Sequence, residues 1–488
     1  MRPGNRLGND RSLRLSDLTV ALFFLVVGCA RDPPPLMPRV EVHPLEFWVD
    51  AFSLSGGDGS KASPFKVAPQ PVPAGATLHF RAGLYAGPFV LSRGTRLEGL
   101  GEVVLTGEAG QTVVTAEGTT LEGISIQGGA IGLEAGRGVV VTRAHFSGQR
   151  RQAVVVHGDL TMTQTQFEAS VEGIDGVVVD RGAVLDLGAT RFLGGFRRAV
   201  ITVGGTLHLT DVSGEGVKIL VHAIDAKSEL NSVRSVLGSG PALFFAGGTV
   251  SVDEAEVIGH EYAVQLSRVL EAKVAGLKAR GAHEGCISAI ASKLSVATSS
   301  LTQCGPGGAV ALQNSNTQLT KVDITAAHEL GIIATRGTLA LLDVKVSKVT
   351  AGGSDSLGDA LHLRDGAAVS SLGELRFSDL DGSGLYASSL AEVHLARLTV
   401  ERARKSALFV ERGAAVEVSA LEVRGGDGAA VVVLERAKVV VDSLTVSGGN
   451  EMPVYAECGA GAQVSLEHLV STVQQLPSQC VTLRSSTP

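Results

Sequence analysis

Leu408-Phe409-Val410, Ala415-Val416-Glu417-Val418 and Leu421-Glu422-Val423-Arg424-Gly425 recur one unit later, without insertion or deletion, as Val431-Val432-Val433, Lys438-Val439-Val440-Val441 and Leu444-Thr445-Val446-Ser447-Gly448. The same distance upstream stand Leu385, Val393, Leu395, Leu398 and Val400, and nearer the N-terminus Ile131, Val154, Val177 and Val200 keep the spacing. Within each unit apolar and polar residues alternate, the period of a strand with one buried face. Three such strands per unit, parted by glycine-containing turns, are too short to bury a face alone; only stacking on the neighbouring units does so. The repeat therefore predicts an all-β chain, a single-stranded parallel β-helix of roughly 17 coils with about 23 residues each, on the order of 80 Å long at ~4.8 Å per coil. A leucine-rich repeat is excluded by the absence of its Leu-x-x-Leu-x-Leu-x-x-Asn signature, and a propeller by the shortness of the period. The rule for parallel crossovers makes the coil right-handed.

The composition agrees. Glycine supplies 61 of 488 residues while Phe, Trp and Tyr together make 4%, so the core is thin and built from small β-branched and aliphatic side chains. Net charge is −7, and removal of residues 1–28, with four Arg and two Asp, leaves −9. That balance lacks the basic footprint of a nucleic-acid binder.

Residues 1–28 read as a signal peptide. Arg2, Arg6, Arg11 and Arg14 precede the apolar run 18–27, too short to span a bilayer. The run ends in Val26-Val27-Gly28-Cys29, which resembles the bacterial lipobox. That resemblance implies lipidation of Cys29, palmitate included, and attachment to the membrane. Ala30 and Arg31 follow the cysteine, with no Asp at the position that retains such lipoproteins in the inner membrane, so the resemblance points to the outer membrane. Residues 29–45 hold Pro33, Pro34, Pro35 and Pro38 and read as an extended tether. Residues 46–76 would cap the first coil, 77–470 form the β-helix, and 471–488 cap its far end.

Export makes Cys286, Cys304, Cys458 and Cys480 disulfide candidates. The sequence allows three pairings. Cys286 and Cys304 are separated by nearly one coil, as are Cys458 and Cys480, and this favours those two pairings. A metal site is the rival reading, without a CxxC pair to support it.

Phe47-Trp48-Val49-Asp50, Gly56-Gly57-Asp58-Gly59-Ser60 through Ser63-Pro64-Phe65, and Gly75 through Gly83-Leu84-Tyr85-Ala86-Gly87 resemble the N-terminal segment of secreted bacterial proteins of the pectate-lyase-like superfamily. The resemblance covers about 40 residues and implies the right-handed parallel β-helix; it does not imply an activity. Where that family has a short helix, Pro69, Pro71 and Pro73 forbid one here, so the cap should be irregular. Asp58 reads as a turn residue.

Stacking turns the repeat into a coordinate system for a site. His260-Glu261, His283-Glu284 and His328-Glu329 precede strands at intervals of one and about two coils, and such a row could ligate zinc or another divalent metal, or supply an acid and a base. The plainer reading is a solvated turn row, interrupted at Cys304-Gly305-Pro306. Arg150-Arg151 and Arg197-Arg198 lie two coils apart with Glu172 and Asp175 between them. They read as a charge ladder that keeps like charges from stacking, or as a patch for an acidic polymer. The Asn-Thr-Asp, Asp-Asp, Gly-His-Gly and Arg-Ile-Lys motifs of polygalacturonases are absent, as are a calcium-binding acidic column and the internal asparagine ladder. Tyr85, Tyr262, Tyr386 and Tyr455 are too scattered to form a sugar platform. The sequence thus favours a non-enzymatic, lipid-anchored envelope protein that presents its surface to a polysaccharide or to an envelope or matrix protein. The alternative is a lyase, hydrolase or epimerase acting on an acidic glycan.

Overall fold

Parallel strand pairs run the length of the chain, each coil bonded to the one before and the one after. The computed structural model describes residues 45–54, 56–352, 357–472 and 480–483. The signal segment, Cys29 and residues 30–44 of the tether lie outside them, as do 473–479 and 484–488 of the expected C-terminal cap. The chain makes a parallel β-solenoid of about 17 turns with almost no helix.

Leu408 lies opposite Leu385 and Val431, Val416 opposite Val393 and Val439, and Leu421 opposite Leu398 and Leu444, as the spacing predicts. Upstream the period is looser. Leu133, Val154, Val177, Val200, Val221, Leu243 and Val264 share one inward column, at intervals that fall up to two positions short of the full repeat. Ile131 consequently faces Gln152 rather than Val154. The coil there is shorter by two, and an even deletion keeps every side chain on its own face. Elsewhere a coil lengthens, as in the one that runs from Ile332 to its partner Leu361.

Between the second and third strands the chain turns on one residue with positive φ: Arg143 (53°), Gln164 (53°), Asp211 (55°), Ser232 (54°), Glu254 (55°), Lys321 (53°) and Asp343 (54°). A left-handed residue other than glycine costs about 1 kcal/mol, so each coil must recover that in packing. It does so inside. Phe146, Phe167 and Phe192 stack with centroids 5.0 and 4.6 Å apart, and Phe196 meets Phe192 edge-on. The valine and leucine columns continue to Leu466.

Glu46–Val49 pairs with Thr77–Phe80 and closes one end, its outer edge covered by residues 59–65 through Trp48 N–H to Gly59 O and Phe65 N–H to Trp48 O, both 2.8 Å. This cap holds no helix among its described residues, as its prolines require. At the other end Val481–Leu483 pairs with Val464–Leu466. Disulfides join Cys286 to Cys304 and Cys458 to Cys480, with Cα atoms 5.4 and 5.5 Å apart.

Candidate functional site

The register separates the three His-Glu pairs. His283 N–H donates to His260 O, and His328 N–H to Cys304 O, both at 2.8 Å. That backbone order sets His260 in line with Ala282, Cys304 and Ala327, all buried, and sets His283 beside Glu261 in the outward row. The coil that follows His260 falls one position short of the repeat, so His283 and His328 each stand one place past the buried column that holds His260. His260 is fully buried, 0% exposed. Its Nδ1 lies 3.1 Å from the Gly240 carbonyl, which can only accept, and its Nε2 lies 2.9 Å from Ser235 Oγ. Nδ1 therefore carries the proton and Nε2 accepts from the serine. The ring fills space beside Gly238, where a Cβ would stand 2.1 Å from His260 Cε1. Burial pushes its pKa below the ordinary value. His283 and Glu284 are exposed, and His328 reaches Thr350 Oγ1 at 3.3 Å. Among the described residues no cluster of His, Cys, Asp and Glu could hold a metal ion. The register thus splits the row into one core histidine and turn residues that are half-buried or exposed.

The arginine row divides as well. Asp175, 5% exposed, is gripped by forks from Arg197 and Arg198, with Nη2 to Oδ2 at 2.7 Å in both. Burial alone would raise its pKa, but the hydrogen bonds of Arg198 and Arg197 outweigh that and hold it below the usual carboxylate range. Arg197 and Arg198 are thus occupied by Asp175, while Arg150 and Arg151 stand exposed two coils away, Arg151 in line with Arg197.

A surface feature the turns do not reveal lies on the first strand of each coil. Its outward position is occupied in succession by Val155, Val178, Ile201, His222, Phe244, Gln265 and Ser288. It continues through Ala311, Ile333, His362, Tyr386, Phe409, Val432 and Tyr455. No Asp, Glu, Lys or Arg interrupts it. The outward position two residues on is also uncharged over Val203, Ile224, Ala246, Ser267, Ile290, Gln313 and Thr335. Within this strip His362, Tyr386 and Phe409 stack at 4.4 and 5.6 Å with planes 11° and 21° apart. Tyr386 is therefore part of an aromatic column rather than one of four scattered tyrosines. Because the rings cover one another's faces, they turn edges outward. The imidazole is held by buried Asp359, 3.0 Å away, and Tyr386 donates to Glu411 at 2.6 Å. Burial, with that carboxylate, holds the phenol above its ordinary pKa.

A groove of about 390 Å³ lies on another face and is lined by Asp323, Lys345, Glu374, Arg376, Glu401, Glu422 and Arg424. Its glutamates are paired: Glu374 with Arg376, and Glu401 and Glu422 with Arg424, at 2.7 to 3.0 Å. The hydrogen bond from Arg376 holds Glu374 below its ordinary pKa, opposite to what a general acid requires.

No family model and no curated protein matches the chain. Among solved structures it is similar to the catalytic domain of a GH87 alpha-1,3-glucanase, at 12% identity and TM-score 0.35, over 57% of this chain and 62% of that one. It is also similar to a rhamnogalacturonan lyase (9%, TM-score 0.23, 67% and 82%) and to the Streptococcus pneumoniae surface protein and adhesin PfbA (10%, TM-score 0.18, 76% and 91%). The chain spans 62% of the length of that glucanase domain. Likeness at this level carries nothing about chemistry, and the β-helix rests on the chain's own strand register.

Chemically, the described surface offers one long uncharged strip, neutralised ion-pair ladders on the other faces, and a buried Asp359–His362 pair. The strip was findable in sequence as the middle residue of Leu361-His362-Leu363, Leu385-Tyr386-Ala387, Leu408-Phe409-Val410 and Val454-Tyr455-Ala456.

Proposed function

We propose that this chain is an exported, lipid-anchored rod of the bacterial outer membrane that binds a partner protein along the uncharged strip from Val155 to Tyr455 and catalyses no reaction. The strip carries this reading. A strip free of charge is the kind of surface found at the buried centre of a protein interface, and its exposed apolar side chains Val203, Ile290 and Tyr455 are where a partner would meet it. A pyranose ring would need aromatic faces, and here those faces are stacked on one another. The carboxylates in the groove beside Glu374 are neutralised by arginines, which suits a rigid wall rather than acid/base work. The anchor is Cys29, and the tether through residue 45 holds the rod off the lipid.

The test compares the purified wild-type protein with Ile201→Lys/Phe244→Lys on surfaces coated with matrix proteins and, separately, with acidic polysaccharides, scoring both binding and release of cleaved glycan. Binding to a coated protein that the double variant loses supports the reading. The second reading, a polysaccharide-processing enzyme, is favoured only by the Asp359–His362 pair. Glycan cleavage that His362→Asn abolishes would replace the first reading with it.

A further inference from the structure

The N-terminal cap carries an apolar surface that neither the β-helix nor the strip accounts for. Seven of the eighteen large apolar side chains standing exposed among the described residues fall between Leu45 and Leu100. Phe52 is 84% exposed, Leu54 88%, Val67 70% and Leu84 64%. They stand on three neighbouring segments of the cap. Asp50 Oδ1 accepts from Phe52 N–H at 2.9 Å, a tight turn that throws the ring outward. Ala51 packs so closely on Gly83 that a Cβ there would stand 2.8 Å from the alanine methyl, which places Leu84 beside the turn. Val67 and Leu84 line one side of a hollow of about 220 Å³ with Ala51 and Phe89. Exposed turns ordinarily carry polar residues; farther along the rod exposed leucines such as Leu270 and Leu390 stand at isolated turn positions.

The same cap carries aromatic and basic side chains. The chain's single tryptophan, Trp48, lies on the same cap, stacked on His79 at 4.6 Å with Lys61 Nζ 5.0 Å above its ring. Lys66 borders Val67 and is exposed. Tryptophan and lysine are the residues that settle at the boundary between lipid headgroups and acyl chains. The tether ends here too. The stretch from Cys29 to Leu45 reaches about 50 Å if fully extended at ~3.1 Å per residue. The cap is thus confined near the bilayer without being forced onto it, and confinement raises the effective concentration of any weak lipid contact.

We propose that Phe52, Leu54, Val67 and Leu84 form a foot that rests the cap on the surface of the bilayer. This rests on the lipid-anchor reading of Cys29. The foot would orient the rod, because a rod held at one end by both a lipid and an apolar surface projects its strip away from the membrane.

The experiment uses the mature lipidated protein reconstituted into phosphatidylcholine vesicles with brominated acyl chains. In a Trp48→Phe background, single tryptophans are placed at the foot (Phe52→Trp) and on the shaft (Leu270→Trp). The expected result is bromine quenching severalfold stronger at position 52 than at 270, lost when Leu54→Asp and Leu84→Asp are added. Equal quenching at both positions would mean that the rod lies flat and would overturn the foot. So would a blue-shifted but unquenched tryptophan at 52, which would mean that protein, such as a second copy, covers the patch. The mass of the N-terminal peptide reports separately on the anchor. A peptide without acyl chains removes the anchor, whereas an acylated protein with no quenching at 52 removes the foot alone.

Discussion

Replacing His260 with leucine should flatten the dependence of stability on pH. The imidazole is buried and neutral, its Nδ1–H bonded to Gly240 O and its Nε2 accepting from Ser235 Oγ. Its pKa is lowered from 6.5, burial being the main cause. A base with a depressed folded-state pKa takes up a proton on unfolding. Its contribution to stability is therefore complete above the unfolded value and is lost progressively as pH falls below about 6.5 toward the folded one. One proton is worth at most about 1.36 kcal/mol per pH unit. Between roughly pH 6.5 and pH 5 the wild type should then lose up to about 2 kcal/mol through this residue. His222 adds to the fall, since burial first and Arg198 second lower its pKa too.

His260→Leu keeps the volume but leaves Ser235 Oγ and Gly240 O without their partner, costing about 1–3 kcal/mol near pH 7.5. The variant should accordingly be weaker at neutral pH and approach the wild type as the solution is acidified. Urea midpoints followed by far-ultraviolet circular dichroism, at several pH values from about 5 to 7.5 and in duplicate with EDTA, make the comparison. Parallel pH curves for the two proteins would refute the buried neutral imidazole. A loss of wild-type stability in EDTA that the variant lacks would reinstate the metal row.

Three further outcomes follow from the same packing. Asp175→Asn should cost about 3 kcal/mol, because partly buried Arg198 loses its counter-ion while exposed Arg197 is compensated by water; in the wild type this contribution should be present above about pH 3.8 and disappear as pH falls through the lowered folded-state value, which acid unfolding of the two proteins can show. Phe167→Ala removes the middle ring of the stacked column and should destabilise by about 3–5 kcal/mol in urea unfolding. Mild reductant should open Cys458–Cys480 before Cys286–Cys304, since Cys458 is exposed while Cys286 and Cys304 are buried; alkylation followed by peptide mass mapping gives the order, and Cys304→Ser should cost about 3 kcal/mol for the short loop that its disulfide closes.

The β-helix was legible because inward positions tolerate little. Leu408, Val416 and Leu421 each stack between near-copies of themselves, so residue type and spacing are constrained together. The irregular cap followed from Pro69, Pro71 and Pro73. The candidate site was not legible from the turns, because turn lengths drift while strand faces do not. A fixed step of one repeat placed His260 over His283, but the strands place it over Ala282, and that single position decides between solvent and core. The aromatic column escaped for a related reason. His362, Tyr386 and Phe409 differ in chemistry, and only their shared place between two buried neighbours shows that they touch.

Charge on the outward positions is the cheapest thing for this fold to acquire. The other faces have acquired it freely, as in Arg191–Glu215, Arg234–Glu256 and Arg424–Glu401. The strip's two rows hold fourteen and seven uncharged places in succession, with Glu134 before Val155 and Arg364 after Thr335. Most of these positions are half-buried, and Val155 and His362 are buried, so part of the exclusion follows from burial alone. On the proposed reading the remainder reflects a covering of the strip. A bilayer and a protein are the two coverings that reject charge, and they make opposite demands on the rod. If lipid covered the strip, the rod would lie flat and Leu270, on a neighbouring turn of the same shaft, would share the quenching of Phe52. If the foot alone meets lipid, the strip is left for a partner, and lysines at Ile201 and Phe244 should abolish adhesion while leaving quenching at position 52 unchanged.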